Sequence, residues 1–181
     1  MTAISHTLVR PPPEARRKPL LQRLLLVGAL AILAPIGVAL PLTLLRGRPL
    51  PWQFHLPWVS PHVAAALLVL ALGAMQLALP KGDRRHRLMG YAWCALMAFI
   101  SLSGLLIQLA PGRPTMIHMA SSVFSAINLI LLPLVIFGAR TGRRRLHKAA
   151  ALGMFACLLN AGALAFIPFR AIGLLVFGAL H

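Results

Sequence analysis

Acidic residues are nearly absent from this 181-residue chain: Glu14 and Asp83 stand against eighteen lysines and arginines, for a formal net charge of +16. Charged residues of both signs make up only 11% of it, whereas a soluble domain carries nearer a quarter. No acid lies within the long apolar runs, which disfavours proton-coupled transport, a process that relies on carboxylates inside the membrane. Cysteine is equally scarce. Cys94 and Cys157 form neither a CxxC nor a CxxCH pattern, so neither a disulfide framework nor covalent c-type haem is supported, and the two read as small buried hydrophobes. The N-terminus is polar and proline-rich, without a signal-peptide cleavage pattern before the first apolar run.

What is abundant is hydrophobic sequence, 59% of the chain. An excess of cations can mark a nucleic-acid binder. Here the cations fall in short clusters between apolar runs of about twenty residues, which is the pattern of a polytopic membrane protein and not of a nucleic-acid partner. Five spans are expected, at about 21–45, 60–79, 88–110, 116–138 and 149–168. Each is near the roughly 20 residues that cross about 30 Å of hydrocarbon at 1.5 Å per residue. In lipid such spans must be helices, because their backbone groups have no water to bond, so the fold class is all-α. Pro35, Pro41 and Pro133 fall inside spans and are expected to kink them.

Fourteen of the eighteen cations lie in three places: the N-terminal tail, the 81–87 loop and the 140–148 loop. The other four are Arg46, Arg48, Arg113 and Arg170. By the positive-inside rule the N-terminus is cytoplasmic and the C-terminus lies outside. The organisation expected is a cytoplasmic tail (1–20), a first transmembrane helix (21–45), a four-helix core (60–169) and a short outer-face interfacial tail (170–181), which could instead dock on a neighbour.

Of seven histidines, His6, His55 and His181 lie in tails or loops. The other four, His62, His86, His118 and His147, each stand at the N-terminal edge of one of the last four spans. Since spans alternate in direction, His62 and His118 belong to the outer face, and His86 and His147 to the inner. Two neutral imidazoles from facing helices can ligate one haem iron axially within a bundle, so this alternation suggests two b-type haems, stacked roughly 20–27 Å apart by the rise of a helix. Small residues share helix faces with these histidines: Gly73 with His62, and Gly90 and Gly104 with His86, where a flat macrocycle could approach the backbone. The bland use of such glycines is helix–helix packing. Ser121, Ser122, Ser125 and Asn128 lie near the face of His118, and Gln76 and Asn160 are deeper polar residues; orienting hydrogen bonds and interhelical ones suit them equally.

The stretch from about 60 to 170 resembles the cytochrome b561 superfamily, whose four-helix core carries two b haems on four histidines. It is also similar to a family of uncharacterised bacterial membrane proteins with an H…G..Q…KG…HR..G signature, here His62, Gly73, Gln76, Lys81, Gly82, His86, Arg87 and Gly90. The resemblance implies His62 with His118 and His86 with His147 as axial pairs. It also implies a multi-pass protein of the bacterial inner (cytoplasmic) membrane that transfers electrons, alone or as a subunit of a larger oxidoreductase or respiratory complex. Eukaryotic members of the superfamily have six spans, and this chain has five. Their ascorbate-binding residues lack convincing counterparts, although Lys81, Arg84 and Arg85 form a cationic mouth, so a quinol or a protein is as good a redox partner. Anionic haem propionates would need cations: some of Lys81, Arg84, Arg85, Arg87 and Arg143 to Arg145 are expected near the inner haem, and Arg46, Arg48, Arg113 or Arg170 near the outer. Two rival readings remain, a non-redox structural or assembly subunit and a copper-handling protein using the soft ligands Met116, His118 and Met119.

Overall fold

The computed structural model describes residues 19–109, 116–167 and 170–180. The side chains of Leu109, Met116, Ile117, His118 and Leu180 are not among those described. The N-terminal tail and its cations up to Lys18, together with Arg113 and His181, lie outside the described residues.

Among these residues there is no strand. The chain forms α1 (Leu20–Leu45), a single 3₁₀ turn (Trp52–His55), α2 (Val59–Ala78), α3 (Arg84–Leu109), α4 (Met116–Arg140), α5 (Arg144–Leu164) and α6 (Ala171–Leu180). The first five are long and apolar enough to cross a membrane. On α1 to α4 large apolar side chains point outward, among them Leu30, Leu68, Leu102, Val123 and Ile130. Such a surface is stable against lipid and would be an aggregation hazard in water. The protein is a polytopic, all-helical membrane protein.

Two helices start earlier than hydropathy places them. α3 begins at Arg84 and α5 at Arg144, each a turn or more into a cationic stretch. A helix needs satisfied backbone donors at its start, not apolar residues. In α3 the cap is Asp83, whose carboxylate accepts the His86 backbone N–H at 2.8 Å. One of the two acidic residues in the chain therefore fixes the turn that carries His86. The tight connections before it and between α4 and α5 pass through Gly82 (φ +94°) and Gly142 (φ +70°), a conformation that a Cβ would strain. α1 continues through Pro35 and Pro41, and α4 through Pro133.

Helices α2 to α5 close into a bundle in chain order, and α1 packs against α2, α5 and α6. The centre of the bundle is dry and filled: Val69, Met97, Met154 and Phe155 are buried to 2% exposure or less. Gly73 sits in this packing. A Cβ there would stand within 2.9 Å of the Trp93 Nε1 and closer still to the Phe155 ring. The Trp93 indole is held in place by donating to the Val69 carbonyl at 3.1 Å. The expected haem-facing role of Gly73 thus meets a space already taken by two aromatic rings.

The C-terminal tail, expected at the interface, is α6, and it docks on α1. Ile172, Leu175, Val176 and Ala179 bury themselves against Ile36 and Ala39. Its final carbonyls are capped by Arg46, which reaches Ala179 O at 2.8 Å, and Arg48, which reaches Gly178 O at 2.9 Å. Cations at a helix C-terminus are favourable for the exposed carbonyls and for the dipole.

Gly73→Leu should lower the midpoint of thermal unfolding in detergent, since overpacking a filled core costs about 1–3 kcal/mol. An unchanged midpoint would show that the Phe155 and Trp93 rings are free to move away.

Candidate functional site

The bundle brings imidazoles to both of its ends. At the cation-rich end, His86 in the first turn of α3 faces His147 in the first turn of α5. Their ring centroids are 6.3 Å apart and the ring planes are nearly perpendicular, at 87°.

The orientation of His147 has a clear cause. Its Nδ1 lies 3.0 Å from the Val135 carbonyl of α4. A carbonyl can only accept, so Nδ1 carries the proton and Nε2 is left with its lone pair. This is the arrangement in which a backbone carbonyl fixes the tautomer of a metal-binding imidazole. The two helices come close enough because residue 138 is glycine. A Cβ at Gly138 would stand 2.7 Å from the His147 backbone nitrogen and 3.0 Å from its Cα. Neither Val135 nor Gly138 is marked by any spacing in the sequence, since the contact joins two helices.

At the opposite end His62, one turn into α2, points into the gap between α3 and α4. Its Nδ1 is 2.9 Å from Ser103 Oγ. That hydroxyl spends its single hydrogen on the Phe99 carbonyl at 2.7 Å, so it accepts from His62. In the neutral ring Nδ1 again carries the proton and Nε2 keeps its lone pair. Gly104 makes room: a Cβ there would be 3.4 Å from His62 Cε1 and 3.0 Å from Ser125 Oγ. Arg170, in the link between α5 and α6, donates to Ser121 Oγ of α4 at 3.0 Å and lies within electrostatic reach of His62.

His118 lies in the first turn of α4. It precedes Ser125, which is level with His62, by two turns on the same helix face, about 10 Å along the axis at 1.5 Å per residue.

The remaining expected residues divide. Gly90 lies beside Gln76, whose Nε2 would be 4.0 Å from a Cβ there. Lys81 folds back on the end of α2, donating to the carbonyls of Gln76, Leu77 and Leu79 at 2.5, 3.2 and 2.6 Å. Arg84 and Arg85 are exposed in the first turn of α3, with Arg85 at the rim of a small cavity that His86 also lines. Arg143 lies over the Phe137 ring at 5.2 Å. Of the cations expected near the outer histidines, Arg170 is there, whereas Arg46 and Arg48 are engaged with α6. Cys94 and Cys157 are half-buried and unbridged.

Residues 59–179 match a family model described as "Predicted membrane protein (DUF2306)". The chain belongs to the DUF2306 family of membrane proteins. The match takes in α2 to α6, and with them all four helix-edge histidines. No curated protein and no solved structure matches the chain.

In ¹⁵N-histidine spectra of the protein alone, His62 and His147 should both show a protonated Nδ1 and a bare Nε2. Gly138→Val should push α5 away and disturb His147 while sparing His62 at the other end. An Nε2-protonated His147 in the unmodified protein would contradict the Val135 bond.

Proposed function

We propose that this chain is a b-type cytochrome that carries single electrons across the membrane, with haem iron held axially by His86 and His147 near one face and by His62 and His118 near the other. The observation that carries the reading is the facing pair His86 and His147. Two imidazoles bound in line to one metal have ring centroids roughly 6 Å apart, counting about 2 Å for each metal–nitrogen bond and about 1 Å from each nitrogen to its ring centre. The observed 6.3 Å fits that spacing.

The donor set points the same way. Among the described residues no three His, Cys, Asp or Glu side chains gather where they could hold a metal ion. A bare zinc ion needs three or four protein ligands, whereas haem brings four nitrogens of its own and asks the protein for one or two. When bound, haem supplies a one-electron couple. The chain's own part is to present bare Nε2 atoms, fix their tautomer through Val135 O and Ser103 Oγ, and keep water out of the middle. The copper reading draws on Met116 and His118, whose side chains lie outside the described set, and on Met119, which is 67% exposed.

The two sites are not equally supported. His118 starts two turns further out than His62, so the second haem rests on the sequence alternation and on the bare Nε2 of His62. The cation-rich end, with the 81–87 and 140–148 loops, faces the cytoplasm of a bacterial inner membrane in this reading. Membrane lipid surrounds the bundle, and a quinol or a protein, free or within a larger complex, exchanges electrons with it.

The purified protein should show reduced-minus-oxidised bands of bis-imidazole b haem at two haems per chain. His86→Ala and His147→Ala should each halve the haem-to-protein ratio, and His62→Ala and His118→Ala should spare the site at the other end. Haem-free protein from cells supplied with haem precursor would overturn the reading. A ratio unaffected by His86→Ala would overturn this ligand assignment.

A further inference from the structure

Beside His86, and apart from the gap that separates it from His147, lies a cavity of about 120 Å³. Its walls come entirely from the end of α2, the connecting loop and the start of α3. Gln76, Leu79 and Pro80 form one side, and Asp83, Arg85, His86 and Met89 the other. No residue of α4 or α5 lines it, so it adjoins the histidine pair without being part of it.

The Gln76 amide gives this cavity its chemistry. Gln76 Nε2 is buried without a hydrogen-bond partner. An amide donor out of reach of water costs free energy until an acceptor meets it. The sequence places this glutamine near the end of a transmembrane helix, where leucine would serve packing better. The nearby carbonyls do not use it: those of Gln76 itself, Leu77 and Leu79 accept from Lys81. A ligand with an oxygen acceptor would complete the site.

The other walls narrow the ligand class. Leu79, Pro80 and Met89 are apolar, and Leu79 is 45% exposed, so the rim of the cavity offers an apolar surface to an incoming ligand. The one carboxylate, Asp83, and the one guanidinium, Arg85, offset each other, so the lining does not select a net anion. The volume is close to that of a cavity of about 150 Å³ that accepts benzene, which suits a single six-membered ring. An uncharged ring with a carbonyl or hydroxyl oxygen, attached to an apolar tail, is the headgroup of a membrane quinone.

We propose that the cavity between α2 and α3 binds a quinone headgroup, with Gln76 Nε2–H donating to a ring oxygen beside His86. Placing the ligand next to His86 deepens the electron-transfer reading and takes its redox significance from it, but binding itself needs no haem. That separation makes the two ideas distinguishable.

The test uses the full-length protein in detergent micelles, with decylubiquinone as the probe and ascorbate as the anionic comparison, both titrated by isothermal calorimetry. Saturable decylubiquinone binding is expected in the unmodified protein and in His147→Ala alike. Gln76→Leu removes one hydrogen bond at nearly constant volume and should weaken binding about tenfold. Met89→Trp should fill the cavity and abolish binding while leaving the Gln76 amide in place, which guards against misreading a Gln76 variant that folds poorly. Absence of saturable binding, or equal affinity in both variants and the unmodified chain, would overturn the site. Tighter binding of ascorbate than of decylubiquinone would overturn the ligand class. Quinone binding by a protein that never takes up haem would support the site and overturn the cytochrome reading.

Discussion

His147 gives its Nδ1 proton to the carbonyl of Val135, and it can do so because Gly138 lets α5 lie directly against α4. This contact sets the geometry of the cation-rich end. It fixes which nitrogen is bare, turns the ring toward His86, and determines how far α5 sits along α4. From that position α5 delivers Phe155 to the middle of the bundle, where it covers Gly73 and leaves no space for water. A methyl group at residue 138 would act on all three at once, because a rigid helix transmits a shift at one end to the rest.

The same chemistry is reached by a different route at the other end. His62 is oriented by a serine hydroxyl instead of a carbonyl. The logic still holds, because Ser103 has already committed its hydrogen to Phe99 O. Both imidazoles therefore donate from Nδ1. The ends differ in their cations. At the cation-rich end arginines crowd the loops, while at the other Arg170 enters the polar cluster from the break between α5 and α6. It is brought there by the docking of α6 on α1.

Much of this was legible in the sequence because hydrocarbon is a strict solvent. Five helices, their approximate ends and the placing of four histidines at helix edges follow from hydropathy and alternation alone. What was not legible is whatever depends on the register between helices. Lys81 reads as part of a cationic mouth, yet its ammonium caps α2. Gly73 and Gly104 look alike in the sequence, but one is covered by Phe155 and Trp93 and the other lies against His62. Arg46 and Arg48 were candidates for the outer histidines until α6 turned out to be a helix with carbonyls to cap. His118 shares a face with Ser125, as expected, but helical rise sets it two turns away from the level of His62. The capping role of Asp83 is legible from its place directly before the helix.

The middle of the bundle bears on what can cross it. Ser103, which holds His62, lies seventeen residues beyond His86 on α3, so about 25 Å of helix separates the two levels. Between them the packing is dominated by Val69, Met97, Met154 and Phe155, with Ser101 and Asn128 the buried polar residues of that layer. No carboxylate lies in any span, and a proton relay or cation path would need a chain of titratable or oxygen ligands through this layer. Electrons need no such chain. They require redox centres held at fixed positions and a medium dense enough to exclude water and ions. A bundle with imidazoles at its ends and sulfur and aromatic rings packed between them is a poor route for ions, which is the property the proposed electron carrier would require of it.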